Sequence, residues 1–245
     1  MSEIVANSVL PAIREDIDIQ TSDGITLVGE LALPSDREPT GLIICVHPLP
    51  TAGGMMDSHV LRKAAWRLPA LTGLAILRFN TRGTTSARGT SEGEFDNANA
   101  EGLDLEAAIA WAAQRGLPDP WLLGWSFGTD VILRHGNISP VLGAVLLSPP
   151  LRFSNLTDLQ SWAESGRPVV AIVPELDDYL RPAEAQDRFA AIPQAQVIAV
   201  DGAKHLWVGD KYVRIALNEI VSAVTETGTV LPTEFDGPMQ RWSDI

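Results

Sequence analysis

The N-terminal part of the chain alternates between apolar and polar positions. Residues 14–19 and 25–33 both follow this pattern, and Ser22, Asp23 and Gly24 between them are typical of a turn. Alternation with a period of two is the pattern of an antiparallel hairpin that has one face in water. We therefore expect the chain to begin with such a hairpin.

After Pro39 the alternation gives way to short, continuous apolar runs, the pattern of strands that are buried on both faces. These runs lie at residues 42–46, 74–79, 121–123, 142–147, 169–173 and 197–200. Segments with helical periodicity lie between or after them, at residues 60–68, 103–113, 127–137, 156–165, 182–191 and 211–225. Repeated strand-helix units with right-handed crossovers produce a parallel sheet covered on both faces. The sequence thus predicts an α/β fold with a mostly parallel sheet of about eight strands, an N-terminal antiparallel hairpin and helices on both faces.

The length of 245 residues fits one α/β domain, which we place at residues 1–227. Residues 228–245 contain two prolines, two glycines and no period, and we expect them to form a C-terminal tail that packs through Phe235 and Trp242 or stays loose. The stretch from Ser148 to Gly166 has room for about one helix, so no large cap domain is expected.

A short motif follows the apolar run at residues 120–123. Residues 124–128 read Gly-Trp-Ser-Phe-Gly, with Ser126 at the centre, and a helical segment begins at once. A strand that turns directly into a helix holds the central serine in a strained conformation, and glycines are needed where a Cβ would collide with neighbouring backbone. This context points to a nucleophilic serine more strongly than the five letters alone do.

A serine hydroxyl is a weak nucleophile, so Ser126 needs a base and the base needs a carboxylate. In one chain order of such triads the acid and then the histidine follow the serine, each in a loop after a later strand. His205 follows the run at 197–200 and is the predicted base. The loop after the run at 169–173 supplies the acid, for which Asp177 is preferred and Asp178 is the alternative.

Acyl transfer also needs N–H groups directed at the developing oxyanion. One is expected from Phe127, directly after the serine, and the other from the loop that begins at His47, which ends a strand and is expected to orient that loop. Because prolines at positions 48 and 50 have no N–H, Leu49 or Thr51 must donate, and Leu49 lies nearer the strand end.

Aromatic residues near these loops are candidates for an apolar substrate pocket. We predict that Trp125, Phe153 and Trp207 line it. Two arginines lie near the end of the run at 74–79, where they could receive a substrate carboxylate or form structural ion pairs with nearby acids. The arginines are Arg78 and Arg82, and the acids expected to pair with them are Glu92, Glu94 and Asp96.

Charge and composition restrict the partners. The net charge of −13 argues against nucleic acid and anionic membrane surfaces. The start of the chain lacks a signal-peptide pattern and no apolar run approaches the roughly 20 residues that a bilayer needs, so a cytoplasmic location is expected.

The single cysteine, Cys45, lies inside a predicted strand and is expected to be a buried thiol. No histidine pair has close metal-ligand spacing, so we predict no metal and no cofactor. The oligomeric state is left open, with a homodimer as one alternative.

Several of these elements together resemble the α/β-hydrolase superfamily, and most of all its small lidless branch related to dienelactone hydrolases. The elements are His-Pro-Leu-Pro at 47–50, Gly-Gly at 53–54, Arg-Phe-Asn-Thr-Arg-Gly at 78–83 and Gly-Glu-Phe-Asp at 93–96. The resemblance extends from about residue 20 to 225. It implies that Ser126, Asp177 and His205 form a catalytic triad and that Leu49 and Phe127 donate to the oxyanion. Pro174 departs from the pattern, since the family usually has glycine before the acid.

The leading functional hypothesis is a serine hydrolase, of carboxylesterase type, that cleaves a small ester or thioester through an acyl-enzyme. One alternative is a non-catalytic interaction module that keeps the fold, suggested by Pro174 and the unassigned tail. A peptidase with the same triad is the other, because it would differ only in the shape of its pocket.

Overall fold

A computed structural model describes residues 1–228 and 230–242. Within this part of the chain, the central sheet has eight strands: β1 Ile13–Gln20, β2 Thr26–Leu33, β3 Gly41–Val46, β4 Leu74–Phe79, β5 Pro120–Trp125, β6 Gly143–Leu147, β7 Val169–Pro174 and β8 Ala195–Val200. The described part of the chain also contains six α-helices: α1 His59–Thr72, α2 Glu101–Gln114, α3 Phe127–His135, α4 Leu156–Ser165, α5 Pro182–Phe189 and α6 Asp210–Thr225.

The strand order across the sheet is β8-β7-β6-β5-β3-β4-β2-β1. Only β2 runs against its neighbours, pairing antiparallel with β1 and with β4, while the other adjacent pairs are parallel. The predicted fold class is therefore confirmed, including the N-terminal hairpin. No helix in the described residues is both long and apolar enough to span a bilayer.

Alternate residues of the central strands pack on opposite faces of the sheet. In β3, Ile44 and Val46 join the core beneath α2, α3, α4 and α5, whereas Ile43 and Cys45 join the core beneath α1 and α6. The predicted burial of Cys45 is confirmed, and burial raises the pKa of its thiol to about 12. The sulfur is thus a core atom rather than a reactive thiolate.

The carboxyl ends of β3, β5, β7 and β8 face the same edge of the sheet because these strands are parallel. Loops that leave this edge collect the side chains that α/β proteins use for chemistry. Between β6 and β7 the chain forms only α4 and short loops, so no cap domain covers this edge.

The chain after α6 packs along the N-terminal segment. Leu231 is buried, and the short strands Glu234–Phe235 and Gln240–Arg241 pair with Ser2–Glu3 and Ser8–Val9. Thr229 and residues 243–245 of the predicted tail lie outside the described residues. One further two-stranded hairpin joins Thr85–Ser86 to Gly89–Thr90.

Candidate active site

Ser126 occupies the turn between β5 and α3. Its backbone has a φ of 52° and a ψ of −119°, a region that non-glycine residues rarely adopt. Three hydrogen bonds fix the turn. The Ser126 N–H donates to the Leu147 carbonyl at 2.9 Å, and the N–H and hydroxyl of Thr129 donate to the Ser126 carbonyl at 2.8 and 2.7 Å. The side chain is half-buried and lines a small cavity.

Two glycines allow this turn to form. A Cβ added to Gly128 would lie 2.2 Å from the Val46 carbonyl oxygen, and one added to Gly124 would lie 2.7 Å from the backbone of Gly128. Neither distance is compatible with a real side chain, because the contacting atoms belong to backbone that cannot move aside cheaply. The expectation that both positions require glycine is confirmed.

His205 lies in the loop after β8 and reaches the serine. Its Nε2 atom is 2.9 Å from Ser126 Oγ, and its Nδ1 atom is 2.9 Å from Asp177 Oδ2 and 3.1 Å from Asp177 Oδ1. The three side chains come from loops after β5, β7 and β8, far apart in the chain. The structure therefore brings the three predicted triad residues within hydrogen-bond distance of one another.

Asp177, rather than Asp178, makes this contact. Asp177 is buried, whereas Asp178 is exposed. The backbone N–H groups of Tyr179 and Leu180 donate to Asp177 Oδ1 at 2.9 and 3.3 Å. Burial alone would raise the pKa of Asp177, but the hydrogen bonds from His205 and from these two amides outweigh it and hold the pKa below its ordinary value. The carboxylate is therefore ionised and held in position at neutral pH.

Two side chains donate hydrogen bonds to the backbone carbonyl of His205. The Trp125 indole N–H donates to the His205 carbonyl at 3.2 Å, and the Ser148 hydroxyl donates to the same oxygen at 3.3 Å. The Trp207 indole N–H in turn donates to Ser148 Oγ at 2.8 Å. On the outer side, the ring of Tyr179 meets the imidazole edge to face, with centroids 4.6 Å apart. The imidazole is thus positioned by contacts on both sides.

The loop after β3 and the first residue of α3 carry the expected amide donors. Leu49 and Phe127 line the same small cavity as Ser126, whereas the alternative donor Thr51 is exposed and outside its wall. Within the described residues, the N–H groups of Leu49 and Phe127 donate to no other protein group. Both amides are therefore available to a ligand. The Leu49 carbonyl accepts from the Gly54 N–H at 2.9 Å, which closes the loop.

His47 anchors this loop to the body. Its Nε2 atom accepts from the Thr81 N–H at 3.0 Å, so the proton resides on Nδ1, which donates to the Pro48 carbonyl at 2.7 Å. The ring is fully buried, and burial lowers its pKa to about 4. A neutral imidazole of fixed tautomer therefore holds the loop that carries Leu49.

The cavity beside Ser126 has a volume of about 120 Å³. Trp125 and Phe153 line it, as predicted. Trp207 does not, because its side chain is completely buried in the core beneath α1 and α6. The prediction of Trp207 as a pocket residue is wrong: its ring supports the His205 loop from within the core rather than facing substrate.

The two arginines near the end of β4 form structural ion pairs. Arg78 binds Glu30 and also donates to Asp57 at 2.9 Å, and Arg82 binds Asp104 at 2.7 Å and Asp23 at 3.1 Å. The alternative that they form ion pairs is confirmed, but the partners expected for them, Glu92, Glu94 and Asp96, are wrong. Their partners lie on β2 and α2, in the turn between β1 and β2, and in the loop before α1.

Among the residues of the cavity wall that were not anticipated, two have long polar side chains. Arg152 and Tyr179 line it, and the Arg152 guanidinium lies 5.9 Å from the centre of the Tyr179 ring. Both are in loops that leave the carboxyl ends of β6 and β7. This position after a strand end is the sequence signal that could have identified them as residues of the cavity wall. Among the described residues, no group of three or more His, Cys, Asp or Glu side chains is arranged to hold a metal ion.

Sequence similarity to curated proteins is partial. No family model matches the chain. An uncharacterized protein of Rickettsia prowazekii is 32% identical over 123 residues, a match that covers 48% of this chain and 48% of that protein. The match thus extends over about half the length of this curated relative.

Solved structures match over most of the chain. An α/β serine hydrolase without lid from Xanthomonas campestris aligns with a TM-score of 0.72 and 25% identity, over 89% of this chain and 96% of that one. An α/β serine hydrolase homologue from Coxiella burnetii aligns with a TM-score of 0.71 and 25% identity, over 84% and 95% of the two chains. Together with the sheet order, the serine turn and the missing cap, these matches show that the chain belongs to the α/β-hydrolase superfamily and has its small, lidless form.

Proposed function

We propose that this α/β hydrolase is a serine esterase that cleaves a small ester or thioester through an acyl-enzyme. The observation that carries the proposal is the continuous contact from Ser126 Oγ to His205 Nε2 and from His205 Nδ1 to the Asp177 carboxylate, each at 2.9 Å. A serine alone is inert toward an ester at neutral pH, whereas a serine in such a relay is a nucleophile.

The reaction follows from the positions of the atoms. Ser126 Oγ attacks the ester carbonyl carbon while its proton moves to His205 Nε2, and Asp177 stabilises the resulting imidazolium. The carbonyl oxygen becomes an oxyanion, which the N–H groups of Leu49 and Phe127 stabilise. Collapse of this intermediate breaks the bond to the leaving group, which takes the proton from His205.

Water then completes the cycle. His205 removes a proton from a water molecule, whose oxygen attacks the acyl carbon and forms a second tetrahedral intermediate. Cleavage of the bond to Ser126 Oγ releases the acid, and the serine recovers its proton from His205. No group beyond these residues and water is needed for the atoms and charges to balance.

The size of the cavity supports a small acyl group. Its volume of about 120 Å³ is less than the roughly 150 Å³ of a cavity that holds benzene. Leu49, Phe127 and Phe153 give it apolar walls, and no cap domain encloses the leaving-group side. We therefore expect acyl chains of a few carbons to be cleaved faster than long ones, with broad tolerance for the leaving group.

Covalent labelling with a fluorophosphonate tests the nucleophile. The unmodified protein is expected to be labelled, Ser126→Ala is expected not to be, and Ser161→Ala, which changes an exposed serine on α4, is expected to be labelled normally. Equal labelling of Ser126→Ala and the unmodified protein would remove the proposal. Absence of labelling in all three would favour a non-catalytic module.

A substrate panel then tests the class of bond. Nitrophenyl esters of acetate, butyrate and octanoate, one acyl thioester and one peptide anilide are compared by kcat/KM. The proposal expects the short esters or the thioester to be cleaved with the highest kcat/KM. Preferential cleavage of the anilide would identify a peptidase instead.

A further inference from the structure

A second, larger cavity lies away from Ser126. It has a volume of about 860 Å³ and is formed by the N-terminal segment, α1 and the chain end near Trp242. Its wall is apolar at Leu10, Met55 and Trp66, basic at Arg14, Arg62 and Arg88, and acidic at Asp57. No residue of this wall belongs to the wall of the active-site cavity.

Arg62 lies between two aromatic rings. Its guanidinium carbon lies 4.8 Å from the centre of the Trp66 ring and 5.1 Å from that of Trp242. Within the described residues its side chain forms no hydrogen bond and no ion pair, and its Nε atom is buried without a partner. A buried N–H without an acceptor is costly. The two terminal nitrogens of Arg62 are not buried in this way, so an anion in the cavity could reach them and accept their hydrogen bonds.

Arg14, on β1, is a second cation without a carboxylate of its own. Its guanidinium donates to the carbonyls of Ala65 at 2.8 Å and Leu10 at 3.3 Å, and no carboxylate among the described residues lies within ion-pair distance. Burial lowers the pKa of Arg14, and the charge of Glu30 only partly opposes this effect.

The charges around the cavity do not balance. The positive side chains are Arg14, Arg62, Arg78 and Arg88, and the acids that interact with them are Asp16, Glu30 and Asp57. Among the residues that the structure describes, one positive charge is therefore in excess at this place, although the whole chain carries a net charge of −13. A local excess of positive charge in an acidic protein favours binding of an anion there.

We propose that this cavity is a second ligand site, which binds a monoanion with an apolar body, such as an aromatic carboxylate. The excess of one positive charge matches one carboxylate, and the planar guanidinium of Arg62 can donate to both of its oxygens. The indole of Trp66 and the side chains of Leu10 and Met55 would contact the body of the ligand. The volume lies within the range of roughly 300–1,000 Å³ that is usual for small-molecule sites.

Calorimetric titration with 2-naphthoate tests the site. The titration uses the full chain carrying Ser126→Ala, after which a competing ligand for the active-site cavity, butyrate, is added in excess. We expect one molecule of naphthoate to bind per chain and butyrate to leave its Kd unchanged. The neutral 2-naphthamide is expected to bind at least about tenfold more weakly, because it lacks the charge. Equal affinities for acid and amide, or displacement by butyrate, would overturn the proposal.

Single substitutions test whether naphthoate binds at Arg62. Arg62→Gln removes the charge at a side chain that forms no hydrogen bond in the described structure, and it is expected to raise the Kd for naphthoate by about tenfold to a hundredfold. Arg188→Gln, at an exposed position on α5, is the matched control and is expected to leave the Kd unchanged. An unchanged Kd in a folded Arg62→Gln protein would exclude the site. A variant truncated after Trp242 is expected to bind naphthoate with the same Kd as the full chain. If naphthoate bound only to the truncated variant, the proposal of a site for an external ligand would be contradicted.

Discussion

Protonation of His47 provides a quantitative test of how the loop after β3 is held. The ring is fully buried between the Pro48 carbonyl and the Thr81 N–H, and its pKa is lowered from 6.5 to about 4. In the unfolded chain the imidazole binds a proton below pH 6.5, whereas in the folded protein it stays neutral until about pH 4. Stability therefore decreases as the pH falls through this window, because the unfolded state binds more protons there.

The size of the effect follows from the two pKa values. At 1.36 kcal/mol per pKa unit, the difference between 6.5 and about 4 contributes about 3 kcal/mol to the loss of unfolding free energy between pH 7 and pH 4. In His47→Gln this contribution is absent. We expect the variant to be less stable than the unmodified protein at pH 7 and the gap between them to shrink by about 3 kcal/mol towards pH 4.

Urea unfolding, followed by tryptophan fluorescence, measures the gap at intervals of half a pH unit. Dilute protein is needed because the pI of about 4.6 lies inside the window. Other titrating groups are common to both proteins and cancel in the difference. A gap that stays constant from pH 7 to pH 4 would refute the neutral, buried state of His47. If the loop also presents Leu49 to an oxyanion, the same variant loses kcat with little change in KM.

Three further changes test the serine turn and its acid. Gly128→Ala places a Cβ 2.2 Å from a backbone carbonyl and is expected to cost about 3 kcal/mol or more in thermal or urea unfolding, while Gly228→Ala, at an open position, is expected to be neutral. Asp177→Asn is expected to lower kcat by roughly 10⁴, as the loss of a triad acid does elsewhere, and Asp178→Asn to leave it within about twofold; equal losses would contradict the assignment of the acid. Ser126→Gly and Ser126→Ala both abolish activity, but only glycine relieves the positive φ, so the glycine variant should unfold at higher urea; the reverse order would argue against strain at this turn.

Much of this architecture could be predicted from the sequence, for a physical reason. Parallel strands buried on both faces appear as continuous apolar runs, and their carboxyl ends must share one edge of the sheet. Residues that follow such runs in the chain, such as Ser126, Asp177 and His205, are therefore close in space even when they are far apart in sequence. The structure places them within hydrogen-bond distance.

Side-chain direction and long-range pairing could not be predicted in the same way. Trp207 is two residues from His205, yet its ring turns into the core while the imidazole turns toward the cavity. Arg82 pairs with Asp104 on α2 rather than with acids nearer in sequence, because the first turn of that helix packs against the loop after β4. Both outcomes depend on how neighbouring elements pack, and that information is spread over the whole chain.

Because no cap domain covers the active site, the body of the protein must hold the reacting groups in position. Lidded enzymes complete their sites when a lid closes, but here the loops that carry the reacting groups must be held before substrate arrives. Each loop has a buried partner: His47 holds the loop of Leu49, two backbone amides hold Asp177, and Trp125 and Ser148 hold the carbonyl of His205. Trp207, mistaken for a pocket residue, belongs to this support because it binds Ser148 from the core. Changes at His47, Ser148 and Trp207, which lie outside the cavity wall, should therefore reduce kcat through geometry.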